Sequence, residues 1–168
     1  MLSQNSPSIS AADLAAMERQ LGRPVRGAVE VVSRCRCGEP NVIKTLPRLP
    51  DGTPFPTTYY LTCPRLSSAL GTLEADGYMR ELEELLATDS EIAAQYQAAH
   101  ESYLADRYAL GEVAEIEGIS AGGMPNRVKC LHVLVAHSLA KGPGVNPLGD
   151  LTIAKLGDWE ANCSEGDL

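Results

Sequence analysis

No apolar run in the chain approaches the roughly 18 residues of a membrane span, and the first ten residues, Met1 to Ser10, hold no basic side chain and no apolar stretch of the kind a leader needs. Neither membrane insertion nor export is therefore expected, and the cytoplasm is the expected compartment. Basic residues are also short: 14 Lys+Arg face 22 Asp+Glu, for a net charge of −8 and a sequence pI near 4.8. Without a basic stripe to neutralise a phosphate backbone, nucleic acid is excluded as the expected partner. There is no internal repeat, and no glycine-rich run has the spacing of a nucleotide-binding P-loop.

What is present is an ordinary globular composition, 44% hydrophobic and 21% charged over 168 residues, enough for one domain with its own core. The charge is unevenly spread. Met1 to Arg65 carries 8 Lys+Arg against 5 Asp+Glu, Leu66 to Glu117 carries 2 against 12, and Gly118 to Leu168 carries 4 against 5. A solvated helix face accounts for the acidic middle; docking of a basic protein partner is the alternative it leaves open. Five cysteines, an odd number, point in a reducing compartment to ligands, catalysts or core fillers rather than disulfide halves.

The pattern along the chain predicts an α+β fold: a small antiparallel three-stranded sheet packed against about four to five helices, the last of them buried. Ser10 and Asp13 form an N-cap pair ahead of Leu14, Met17 and Leu21, a helix over 11–21 ended by Gly22. The runs 28–33 and 41–46 are β-branched strands joined by the turn Cys35-Arg36-Cys37-Gly38-Glu39-Pro40, and 57–62 is a third strand after a proline-rich connection. Pro64 opens a helix interrupted at Asp76-Gly77, a short helix follows over 78–86, and Asp89 caps a longer one to about Tyr108. Residues 127–140 read as the buried helix. The domain is expected over 11–149, with a flexible terminus at 1–10 and an irregular, poorly ordered tail over 150–168.

Three of these places can carry thiolate chemistry. Cys35-x-Cys37-Gly38 in a hairpin turn resembles a knuckle that presents two sulfurs to a metal, one residue shorter than the usual spacing. Cys63 ends the third strand before Pro64, and Cys130 lies in the first turn of the last helix; both sit where a helix N-terminus favours a thiolate. His132 and His137 share that helix. At 1.5 Å and about 100° per residue, Cys130 and His137 are about 10 Å apart along the axis, and His132 is about 200° around from Cys130, so a regular helix brings no two of the three to one ion. A shared site would combine Cys130 or His132, freed by an irregular first turn, with Cys35, Cys37 and Cys63. Zinc accepts such a set tetrahedrally, and three or four thiolates also suit an iron–sulfur cluster. Cys163, in a polar tail, reads as a bystander. Ahead of the last helix, Gly122 and Gly123 with Arg127 and Lys129 form a candidate anion site.

The segments RCRCGEPNVIKTLPRLPDGTPFPTTYYLTCP (34–64) and GGMPNRVKCLHVLVAHSLAKGPGVNPLGD (122–150) resemble the two signature blocks of a bacterial family of uncharacterised proteins, domain of unknown function 501. The likeness spans roughly 14–149. It implies no activity. It does imply that Cys35, Phe55, Pro56, Thr57, Cys63, Pro64, Lys129, Cys130, His132, Asn146, Pro147 and Gly149 fall in characteristic blocks, and that Cys37 departs from a first block whose first cysteine stands alone. With the resemblance added, the expected ligands are Cys35, Cys63, Cys130 and His132, with Cys37 and His137 as further candidates. The expected function is a Cys/His metal site, structural or catalytic, holding zinc or else an iron–sulfur cluster. The alternative is a metal-free enzyme using Cys130 or Cys63 as nucleophile, with a histidine base, on an acyl or phosphoryl group. Substrate and partner are not legible from the residues.

Overall fold

A computed structural model describes residues 9–161 and 163. Helix α1, Ala11–Leu21, starts where the Ser10 hydroxyl accepts the Asp13 amide and stops at Gly22, whose left-handed φ of 71° lets its own amide close on the Glu18 carbonyl. Strands β1 (Ala28–Arg34), β2 (Pro40–Thr45) and β3 (Tyr59–Leu61) form one antiparallel sheet in the order β1-β2-β3. Val31 lies opposite Ile43 and Ile43 opposite Tyr60. The α+β class and the three-stranded sheet expected from the sequence are both present.

Six α-helices follow or flank this sheet among the described residues. Pro64 occupies the first turn of α2 (Pro64–Ala75), where its missing amide costs nothing. Gly77, with φ of 88°, turns the chain into α3 (Tyr78–Thr88). Asp89 caps α4 (Ser90–Leu110) by accepting the amides of Glu91 and Ile92 at 3.0 and 3.1 Å. Next come α5 (Leu131–Lys141) and α6 (Pro147–Leu156). Helix α5 lies between the sheet and helices α2 and α6, and Leu131, Leu134, Val135 and Ala136 on it are wholly buried against Leu66, Leu70 and Leu148. The β2–β3 connection and the loop after α4 are tied by Arg107, a buried guanidinium that donates to the carbonyls of Pro56, Ile116, Ile119 and Ser120. Four carbonyls around one cation satisfy a charge that burial would otherwise penalise.

Two expectations are corrected. The buried helix begins at Leu131 rather than near Arg127, because the amides of Arg127 and Lys129 are taken by the carbonyls of Gly123 and Gly122 in a tight loop. The segment after Gly144 is not irregular: Asn146 accepts the Gly149 amide at 3.0 Å and Pro147 starts α6, so the expected boundary at 149/150 falls inside a helix. The expected flexible terminus lies outside the described residues except for Ile9 and Ser10, as do residues 162 and 164–168 of the tail.

Candidate metal centre and a second cysteine site

The turn between β1 and β2 is built to hold two sulfurs close. The Cys35 amide donates to the Glu39 carbonyl and the Gly38 amide to the Cys35 carbonyl, a reversal that Gly38 allows at φ of 92°. The Cys37 amide then faces the Cys35 sulfur. The chain returns to this turn after α6: the Arg36 amide and guanidinium are held by Glu160 and Asp158, which sets Cys163 Sγ 3.6 Å from Cys37 Sγ. The sulfurs of Cys35, Cys37 and Cys163 all lie within 4.8 Å of one another. Three thiols this close can hold a metal ion. Burial, with the other two thiols adding to it, drives the Cys35 pKa far above the ordinary thiol value.

Of the expected ligands, Cys35 is in this cluster and Cys37 joins it. Cys163, read from the sequence as a bystander, is its third member. Cys63 is the N-cap residue of α2 and is buried at 2% exposure, its sulfur facing the Arg65 and Leu66 amides; it stands outside the group of three sulfurs within 4.8 Å. Cys130 and His132 fall in a different group, completed by Glu74, with ligand atoms again within 4.8 Å. The structure thus divides the set Cys35, Cys63, Cys130 and His132 instead of gathering it around one point.

The second group is made possible by the late start of α5. Cys130 is the N-cap residue, extended at φ −154° and ψ 113°, so it escapes the helical geometry that would point it away from His132. Its Sγ lies 3.9 Å from His132 Nδ1. Glu74, near the end of α2, accepts the Leu131 amide at 3.0 Å and sits 2.9 Å from the same Nδ1, while His132 Nε2 donates to the Ser67 carbonyl at 3.0 Å. Both ring nitrogens therefore face acceptors, an arrangement that an imidazolium satisfies and a neutral ring does not. The His132 pKa rises to about 9, first through its hydrogen bond with Cys130 and then, against burial, through Glu74. Burial pushes the Cys130 thiol up, but His132 and the Val133 amide outweigh it and leave the pKa below the ordinary value.

His137 falls in neither group. It is wholly buried, stacked on Tyr59 at 5.8 Å and edge-on to Tyr103 at 5.0 Å, with Asn146 Nδ2 donating to its Nδ1 at 3.2 Å. Burial is the main reason its pKa drops to about 4, with Lys141 adding to the drop and Asp106 and Asp150 opposing it. Between pH 6.5 and 4 the unfolded chain binds a proton at this residue that the folded chain refuses, so stability falls as pH falls through that window. The gap corresponds to about 3 kcal/mol. Urea unfolding at pH 7 and pH 4.5 should show that loss, and His137→Asn, which keeps an acceptor for Asn146, should reduce the pH slope by most of it. Equal slopes for the two proteins would contradict this account.

The Gly122–Lys129 loop turns its backbone inward. Its amides at Arg127 and Lys129 are spent internally, and a Cβ at Gly123 would meet the Arg127 carbonyl at 2.7 Å, so the loop is closed on itself. The acidic middle is also partly inward-facing. Glu83 accepts the Val128 amide at 3.1 Å, Glu74 serves α5 and His132, and Asp106 accepts the Tyr59 hydroxyl at 2.6 Å and pairs with Lys141 at 3.0 Å. Glu74 was invisible within the charge run, where nothing distinguishes a capping carboxylate from a solvated one. No described helix is long and apolar enough to cross a membrane.

Residues 31–154 match the family described as Protein of unknown function (DUF501), and the chain belongs to it. No curated protein and no solved structure matches the chain. The matched segment contains Cys35, Cys37, Cys63, Cys130 and His132 and ends before Cys163.

Proposed function

We propose that this member of the DUF501 family is a zinc-binding protein, with Cys35, Cys37 and Cys163 as ligands and Cys63 as the fourth. The observation that carries the reading is the meeting of three sulfurs within 4.8 Å, brought from the β1–β2 turn and from a segment more than 120 residues later. Chance packing of cysteines fills the interior of apolar stripes, whereas Cys37 and Cys163 lie at a partly exposed turn flanked by charged residues. Cys63, buried at the start of α2, stands outside the 4.8 Å group and completes the set by closing on the bound ion. Four thiolates close the coordination sphere, so the ion is structural: it fastens the chain after α6 to the turn between β1 and β2. The cytoplasm, where thiols stay reduced, is the compartment this role requires.

Metal analysis of protein purified without a histidine tag tests this. About one equivalent of zinc per chain is expected, together with one fast-reacting thiol, Cys130. Iron with visible sulfide-to-iron absorption would replace zinc by a cluster. Less than about a tenth of an equivalent of any metal, with all five thiols freely titratable, would end the proposal. So would a mass 2 Da low with Cys37 joined to Cys163, since the pair would then be a disulfide.

A further inference from the structure

A groove of about 260 Å³ opens beside Cys130 and His132, between β3 and the start of α5, with Thr57, Tyr60, Leu61, Ser67 and Val133 on its walls. The metal centre uses none of these residues. Three features of the groove bear on what it can do. Its sulfur sits on the N-terminus of an eleven-residue helix, where the Val133 amide points at it. Its histidine is anchored at both nitrogens, by the Ser67 carbonyl and by Glu74, so the ring is held in place with Nδ1 2.9 Å from Glu74 and 3.9 Å from the sulfur. Its walls are hydroxyls, two tyrosine rings and aliphatic carbons, with no lysine or arginine among them.

From these we propose that Cys130 is a nucleophile that accepts an acyl group from a small ester or thioester seated in this groove, with His132 as the proton donor and Glu74 as the residue that positions it. The absence of a basic wall decides between acyl and phosphoryl transfer: a phosphate dianion would find no counter-charge except an imidazolium already shared with Glu74. The volume suits a short acyl chain, being below the roughly 300–1,000 Å³ typical of pockets for drug-sized ligands.

The step balances within the groove. The Cys130 thiolate adds to the acyl carbon, the bond from that carbon to the leaving sulfur or oxygen breaks with its electron pair, and the leaving group takes the proton from His132 Nδ1. The product is an acyl thioester on Cys130 and a neutral His132 whose Nδ1 lone pair now faces the Glu74 carboxylate. That repulsion makes the ring a strong base. It removes a proton from water, the hydroxide adds to the thioester carbon, and the carboxylic acid leaves as the Cys130 thiolate and the imidazolium are restored. Glu74 touches neither the acyl group nor the sulfur bond; it acts through His132.

The ester p-nitrophenyl acetate is the probe, applied to the full chain at pH 7 with intact mass and peptide mapping. The expected result is a burst of about one p-nitrophenolate per chain and a single 42 Da adduct on Cys130, formed at least tenfold faster than on glutathione. Cys130→Ser abolishes the burst. His132→Gln slows it tenfold or more and, by removing the proton held beside the sulfur, shifts its pH midpoint upward toward that of an ordinary thiol. Glu74→Gln, which keeps an acceptor for the Leu131 amide, leaves acylation within a few-fold but slows the second, hydrolytic phase. If any variant fails to fold, the wild-type adduct map still decides. Acetyl spread over the thiols in proportion to exposure, a Cys130 rate no faster than glutathione, or Cys130 labelling that appears only after chelator treatment would each overturn the proposal, the last by making this a metal site. None of these outcomes bears on zinc at Cys35, Cys37 and Cys163, whose stoichiometry is measured separately.

Discussion

Gly149→Ala is expected to cost about 3 kcal/mol, the upper end of what overpacking a core does, and to lower the melting temperature by about 10 °C for a domain of this size. Helix α6 crosses α5 at this residue. A Cβ on Gly149 would stand 2.2 Å from the Leu134 carbonyl oxygen and 2.2 Å from Ser138 Oγ. A side chain can rotate away, but a helix carbonyl cannot, so the two helices must separate. The separation would break the bond from the Ser138 hydroxyl to the Asn146 carbonyl at 3.1 Å and loosen the cap that starts α6. The control is Gly71→Ala in α2, where nothing lies within 4 Å. There the helix propensity gain of about 0.5–1 kcal/mol should appear as stabilisation. Thermal melts of the two variants beside the parent make the comparison, and a Gly149→Ala protein as stable as the parent would show that α5 and α6 do not cross as described.

Cys37→Ser and Cys163→Ser should each take bound zinc from about one equivalent to less than about 0.2 and lower stability by roughly 3 kcal/mol, because in such sites metal binding free energy is partly folding free energy. The loss should be smaller than in a zinc finger, since Leu66, Leu70, Leu131, Leu134 and Leu148 form a core that needs no metal. The effect should also be local. Amide exchange should rise in the turn 35–39 and around 158–163, the two segments joined by Arg36 with Asp158 and Glu160, while α4 and α5 stay protected. Cys130→Ser should leave the zinc in place. Retention of zinc in Cys163→Ser, with release in Cys130→Ser, would reverse the ligand assignment.

Local signals in the sequence were faithful where the physics is local. Ser10 with Asp13, Gly22, Pro64, Gly77 and Asp89 mark helix ends through side-chain caps and backbone angles that depend on a few neighbours. Helix α6 escaped notice although Asn146-Pro147 is a cap followed by a first-turn proline, because Gly149 breaks its apolar stripe. That glycine has a reason only once the Leu134 carbonyl is seen against it. The start of α5 was misplaced for a similar cause, since Glu74, distant in sequence, supplies the acceptor that fixes Leu131 as the first helical residue. In the candidate site, the two cysteines of a short turn were readable as a pair. Cys163 was not, because nothing in its polar surroundings says which loop the chain returns to. The expected partnership of Cys35 and Cys63 with Cys130 and His132 rested on convergence of three element ends. The fold brings two separate pairs of ends together instead.

X-ray absorption at the zinc edge, on protein as purified, tests the central claim most directly. The account predicts a single shell of four sulfurs at about 2.3 Å, the zinc–thiolate distance, which vanishes in Cys37→Ser and persists in His132→Gln. A shell containing nitrogen or oxygen at about 2.0–2.1 Å, lost in His132→Gln, would place the metal at Glu74, Cys130 and His132 and contradict the cysteine cluster as its site.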